Sequence, residues 1–241
     1  MKKKIESLLS QKILILDGSL GTLFQSRNIH EVDYRNKRFD NHPIDLRGNN
    51  DVLSLTQPTI VMDIHEQYLQ AGADIITTNT FNSNRLSQYD YGLAHLVPEL
   101  NRTSASIAKK IALQYSDATK PRFVAGSIGP TGKTASLSPD VNNPAFRAVA
   151  FDELIEVFSE QVDALMEGGV DILLCETFFD TLNAKAALFA IARVFEQKRQ
   201  HLPVMMSVTI TDASGRILSG QTIDAFLYSS NEIIIGRHYS R

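Results

Sequence analysis

Two carboxylates carry the chemistry that can be read from this chain. Asp17 follows the apolar run Ile13-Leu-Ile-Leu16, and Glu176 follows Ile172-Leu-Leu-Cys175. An acid placed directly after a buried strand must be solvated in a cavity, paired with a cation or offered to a ligand. Asp17 also opens the segment Asp17-Gly-Ser-Leu-Gly-Thr22, whose Gly18 and Ser19 backbone N–H groups can hold an anion. A carboxylate for an amine, beside amides for a carboxylate, describes an amino-acid site. The competing reading makes both acids structural, bonding the amides of neighbouring loops. At this level the two readings stand side by side.

The elements that must position these acids come from a repeat. Ala71-Gly-Ala-Asp-Ile-Ile-Thr-Thr-Asn-Thr-Phe81 and Gly168-Gly-Val-Asp-Ile-Leu-Leu-Cys-Glu-Thr-Phe178 share one pattern. Each predicts a helix stopped by glycine, a turn, a buried parallel strand and a polar tip. Ligands of α/β folds sit beyond the carboxyl ends of such strands, so Thr78-Asn79-Thr80 and Glu176-Thr177 form the expected floor. Strands are expected at Lys12–Leu16, Asp74–Thr78, Arg122–Gly126, Asp171–Cys175 and Pro203–Thr209. Helices are expected from Pro58 to Gly72, near Val97 to Tyr115, around Leu154 to Leu165, and over Leu182–Gln197 after an Asp180 or Thr181 cap. A polar loop fills about Arg27 to Gln57. This order fits an open doubly wound sheet or a barrel, and polar residues at every strand tip favour the barrel.

Three further motifs look like functional signatures but depart from them. Ser127-Ile-Gly-Pro-Thr-Gly-Lys-Thr134 ends like a nucleotide-binding P-loop. Serine stands where the first glycine belongs, and Pro139 and Pro144 follow where a helix should open. His65-Glu66 begins a helical zinc-protease motif, but Leu69 takes the place of the second histidine; His65 is expected to be a partly exposed surface residue. Cys175, the only cysteine, reads as a small buried hydrophobe within a strand.

Composition narrows the class. The chain has 241 residues, 43% hydrophobic and 21% charged, with a formal net charge of −3. That is enough for one large α/β domain and leaves no electrostatic footprint for nucleic acid. No apolar run reaches the roughly 20 residues of a membrane span. The start, with Lys2-Lys-Lys4, reads as a surface helix rather than a signal peptide. A single cysteine suits a reducing cytoplasm.

Six segments in order resemble one family: Asp17–Thr22, Gly48-Asn-Asn-Asp51, Asp74–Ser83, Gly126–Thr131, Glu176–Lys185 and Ser219-Gly-Gln-Thr222. Over about residues 10–227 they are similar to the homocysteine-binding module of cobalamin-dependent methionine synthases, within the homocysteine S-methyltransferases. The resemblance implies a (β/α)8 TIM-type barrel in which zinc, held by three cysteine thiolates, binds homocysteine sulfur. It also implies methylcobalamin as donor, recharged from methyltetrahydrofolate on separate cobalamin- and folate-binding modules. By the same resemblance Asp17 and Glu176 lie near the substrate amino group, the Gly18 and Ser19 amides near its carboxylate, and Asn79 on the floor.

The chain departs from this pattern after Leu227. It has neither the Gly-x-Asn-Cys segment nor the Cys-Cys pair that supply the family's zinc ligands, so no metal ligand is assigned. Residues 228–241 form a divergent tail, which reads as a frameshifted or truncated frame. The expected fold is therefore a partial barrel of about five to six of eight βα units. Its open sheet edges predict self-association, and Ile233-Ile-Ile235 is a candidate sixth strand. The expected function is a homocysteine S-methyltransferase module inactive alone. The rivals are a non-catalytic amino-acid-binding half-barrel and, behind it, a P-loop nucleotide-binding protein.

Overall fold

In the computed structural model, which describes residues 2–211 and 213–231, a helix directly precedes each of the four strands, as the repeat requires. Helix α1 (Lys2–Leu9) leads into an extended segment, followed by α2 (Leu20–Gln25), α3 (Glu31–Arg35), α4 (Leu53–Thr56) and α5 (Pro58–Ala71). Next come β1 (Ile75–Thr77), α6 (Arg85–Tyr89), α7 (Val97–Gln114), β2 (Phe123–Ile128) and α8 (Phe151–Glu167). Then β3 (Ile172–Phe178), α9 (Thr181–Lys198), β4 (Val204–Val208) and α10 (Ile223–Asn231) complete the order. The four strands form one parallel sheet in the order β1-β2-β3-β4.

Local chemistry explains the boundaries. Pro58 opens α5 at a position where its missing N–H is not needed. Gly72 closes that helix with φ +113°, a left-handed conformation that glycine adopts freely, and its N–H donates to Leu69 O. Asp180 caps α9 by accepting the N–H groups of Leu182 and Asn183.

The repeat's two aspartates do the same job twice. Asp74 accepts the Ile15 N–H at 3.1 Å and the Lys12 ammonium at 2.9 Å. Asp171 accepts the Val124 N–H at 3.0 Å and the Lys109 ammonium at 2.6 Å. Each carboxylate therefore ties the amino end of its own strand to the strand before it. Burial acts to raise the Asp74 pKa, but Lys12 and the Ile15 amide outweigh it and hold the group below its usual value.

Side chains alternate across the sheet as pleating demands. Ile76, Val124, Leu173 and Cys175 pack outward into the main core with α7, α8 and α9. Ile75, Phe123, Ala125, Ile172 and Leu174 face the other way and pack with Ile5 of α1.

Several expectations change. The first expected strand is reduced to a bridge between Leu16 and Ile75. Asp74 takes the Ile15 N–H that a backbone carbonyl would take in a ladder, and Ile13 is left 88% exposed. Of five expected strands, four form. The stretch from Arg27 to Gln57 is not an irregular loop: α3 and α4 cross it, and Tyr34, Leu46, Val52 and Leu53 build a second core. β3 runs on to Phe178, so Glu176 and Thr177 lie inside the strand rather than beyond it. His65 is fully buried on α5 instead of partly exposed, because Val61, Ile64 and Leu69 share its face. Helix α10 continues through residues 228–231, whereas Ile233–Ile235 lie outside the described residues. Among the described residues no helix is long and apolar enough to cross a membrane.

Candidate functional site

A cavity of about 500 Å³ opens at the carboxyl ends of the strands. Asp17, Gly18, Ser19, Asn79 and Glu176 all line it, so the five residues singled out from the sequence meet at one place. Asp51, Thr77 and Ser127 line it as well. Among the described residues, three carboxyl side chains reach this cavity, and no Lys, Arg or His lines it. Its electrostatics favour a cation.

Asp17 is oriented by the tip of β1. Its Oδ2 accepts the Thr77 N–H at 2.8 Å, and its Oδ1 accepts the Thr77 hydroxyl at 3.1 Å. The structural reading of this acid is thus met in part: it does bond a neighbouring strand. It also remains turned to the cavity, where burial, with a smaller push from the Glu176 charge, raises its pKa to about 7. The Thr77 hydrogen bonds act against that rise without cancelling it.

Glu176 enters the cavity because β3 is irregular at this point. The β3–β4 register shifts between Cys175 and Phe178. Thr177 sits there with φ +63°, a left-handed conformation that is strained for a β-branched residue. The Ser127 hydroxyl donates to Glu176 Oε1 at 2.5 Å.

The Gly18-Ser19 turn lies beneath Tyr68. A Cβ on Gly18 would come 2.9 Å from the Tyr68 Oη, which itself donates to Ser19 O at 3.1 Å. The Ser19 Oγ caps α2 by accepting the Thr22 N–H. With its carbonyl and hydroxyl engaged, the turn has backbone N–H groups to present to a ligand. Asn79 is pinned from outside, its amide donating to Asn50 O at 2.7 Å and Ser54 Oγ at 3.1 Å.

Asp51 is the acid that sequence reasoning passed over as a site residue. It is 3% exposed, accepts the Asn82 N–H at 2.9 Å, and burial pushes its pKa to about 7. Its signal was the compact Gly48-Asn-Asn-Asp51 segment, acidic and polar where the surrounding stretch buries apolar side chains. Ser127 was also missed as a site residue: it lies in the Gly126–Thr131 segment of the family resemblance, but no role was assigned to it.

The P-loop-like segment does not have phosphate-binding geometry. No helix opens at Lys133; the chain stays irregular until α8. The Lys133 carbonyl accepts from the Asn183 amide at 2.8 Å, and the Thr131 hydroxyl accepts from the same amide. The segment is fastened to α9 through its own acceptors.

The homocysteine S-methyltransferase family model matches residues 14–235. The chain belongs to the homocysteine S-methyltransferase family. Three solved structures of the homocysteine methyltransferase MmuM from Escherichia coli share its fold. The oxidized form superposes with a TM-score of 0.70 at 21% identity, covering 95% of this chain and 74% of that one. The metallated form gives a TM-score of 0.69 at 21% identity, over 95% and 75% of the two chains. The apo form gives 0.63 at 20% identity, over 94% and 72%.

The described residues do not fit the thiolate zinc site that the resemblance implies. Cys175 is the only cysteine of the chain, fully buried in the outward-facing core, and it does not line the cavity. Burial lifts its thiol pKa to about 12, which disfavours the thiolate a metal needs. Among the described residues no group of three or more His, Cys, Asp or Glu side chains is placed to hold a metal ion.

Proposed function

We propose that this chain binds homocysteine through its amino-acid end, as the substrate-recognition part of a homocysteine S-methyltransferase barrel of the cobalamin-dependent methionine synthase type. One observation carries the reading: Asp17 and Glu176 line one cavity together with Asp51, and no Lys, Arg or His among the described lining residues offsets them. A ligand ammonium placed between them restores Asp17 to its ionised form. The N–H groups of Gly18 and Ser19 take the ligand carboxylate, and Asn79 forms the floor.

Methyl transfer by this chain alone is not part of the proposal. In the family the zinc supplies an activated sulfur, whereas the single thiol of this chain, Cys175, is buried away from the cavity. The chain thus orients the amino acid and excludes water, but does not activate the sulfur. The four strands and the Leu16 bridge, read against the family, correspond to part of an eight-stranded barrel.

Isothermal titration with L-homocysteine and L-methionine tests the reading. Binding of both, weakened at least tenfold by Asp17→Asn, is expected, since a charge-assisted contact contributes about 1.5–3 kcal/mol. Wild-type affinity in Asp17→Asn would return that acid to a structural role. Production of methionine from homocysteine and methylcobalamin by this chain would overturn the claim that it only binds.

A further inference from the structure

Ser127 is 1% exposed at the end of β2, and every polar group it owns is engaged. Its N–H donates to Thr78 Oγ1 at 2.9 Å. Its carbonyl accepts the Thr80 hydroxyl at 2.7 Å and, at 3.5 Å, the Gln161 amide. Its own hydroxyl donates to Glu176 Oε1.

Gln161 comes from α8, behind the sheet, and is fully buried. Its Nε2 also donates to Thr80 O at 2.9 Å. Two carbonyls facing the same end of the amide admit only the nitrogen there, which settles its orientation chemically. Its Oε1 has no hydrogen-bond partner among the described residues.

We propose that Ser127 is a positioning residue for Glu176, and that Gln161, together with the Thr78 and Thr80 hydroxyls, holds Ser127 in the orientation that does this. The inference rests on the reading that Glu176 receives a ligand ammonium. The backbone of Ser127 is held by Thr78 and Thr80 without help from its hydroxyl, so that hydroxyl is not required to keep β2 in register. What it does is fix one oxygen of a glutamate that sits in a strained bulge, leaving the other oxygen to turn toward the cavity. Glu176 has three side-chain torsions, and an unbraced carboxylate would lose that freedom each time a ligand bound.

The test compares Ser127→Ala, Ser127→Thr and Gln161→Met in the full chain. In titrations with L-homocysteine, Ser127→Ala is expected to raise Kd about tenfold, the effect of one hydrogen bond to a charged group. Its melting temperature should stay at the wild-type value. Ser127→Thr keeps the hydroxyl and should restore affinity, while Gln161→Met should weaken binding less than Ser127→Ala. If Ser127→Ala lowers the melting temperature, Ser127→Cys, with a weaker donor, replaces it. Equal affinity in Ser127→Ala and wild type, or failure of Ser127→Thr to rescue, overturns the proposal. Should the wild-type chain bind no amino acid, the reading in the preceding section fails. Positioning is then decided on the ligand-free protein by the carboxyl ¹³C signal of Glu176. That signal should move in Ser127→Ala and stay in Ser127→Thr; an unmoved signal in Ser127→Ala overturns the proposal.

Discussion

Asp17 is clamped to Thr77 by both carboxylate oxygens, one taking the backbone N–H and the other the hydroxyl. The clamp orients the acid but does not ionise it, because burial outweighs these two bonds and sets the pKa near 7. Asp17 is thereby a titrating group in the pH range where the protein would meet its ligand.

Ligand binding should therefore be linked to a proton. An ammonium bound beside Asp17 favours the carboxylate, so affinity should rise as pH increases through about 7 and level off above it. Titration calorimetry in buffers of different ionisation enthalpy should detect proton release near pH 6.5, and none in Asp17→Asn. A release undiminished in that variant would assign the proton to another group.

Two cavity aspartates, Asp17 and Asp51, oppose stability at higher pH. Asp17 and Asp51 have folded pKa values raised to about 7 from 3.8, so the folded chain holds protons that the unfolded chain has released. Stability from this source is full below about pH 4, and falls as pH rises through 7. Asp51→Asn should be more stable than wild type at pH 8 and lose that advantage at pH 4, as read from urea midpoints.

His65 acts in the other direction. Both ring nitrogens are buried without a hydrogen-bond partner among the described residues, and burial lowers the pKa from 6.5 to about 4. The unfolded chain takes up the proton first, so stability present above pH 6.5 is lost as pH falls toward 4. The loss by pH 5 is about 2 kcal/mol. His65→Leu should flatten the acid limb of a stability profile, and an unchanged limb would place its cause elsewhere.

The strand staples should resist substitution unequally. Asp171 is 3% exposed and holds both the Val124 N–H and Lys109. Asp171→Ala leaves a buried N–H and a partly buried ammonium without their partner, and should destabilise the chain by about 2–3 kcal/mol in urea unfolding. Lys109→Met removes only the more exposed member and should cost less than half of that.

Thr177 stores strain beside Glu176. With φ +63° on a β-branched residue, Thr177→Gly should raise stability by about 1 kcal/mol, the relief exceeding the entropy of the added glycine. A lower midpoint for the glycine variant would mean that the threonine side chain contributes packing which the strain argument omits.

Much of the fold was legible because its signals are local. Pro58 and Gly72 bound α5 through their own backbone constraints, Asp180 caps α9, and the repeat marks two strands by apolar runs that any buried parallel strand needs. The acids Asp17 and Glu176 stood out for the same reason: a charge directly after such a run has few places to go.

Other features depend on partners distant along the chain. The first strand shrank to a bridge because Asp74, about 60 residues on, takes the Ile15 N–H. His65 lost its exposure to helix packing, and Asp51 lost its solvent to the loop at Asn82. Ser127 gained its place only when β2 and β3 paired side by side, setting its hydroxyl against Glu176. From sequence alone came the family, the alternation of α5, α7, α8 and α9 with β1 to β4, and the two acids, since residue type and spacing decide those. Which oxygen is braced, which acid is protonated and which histidine is sealed are set by desolvation and long-range hydrogen bonds, and those exist only once the chain has folded.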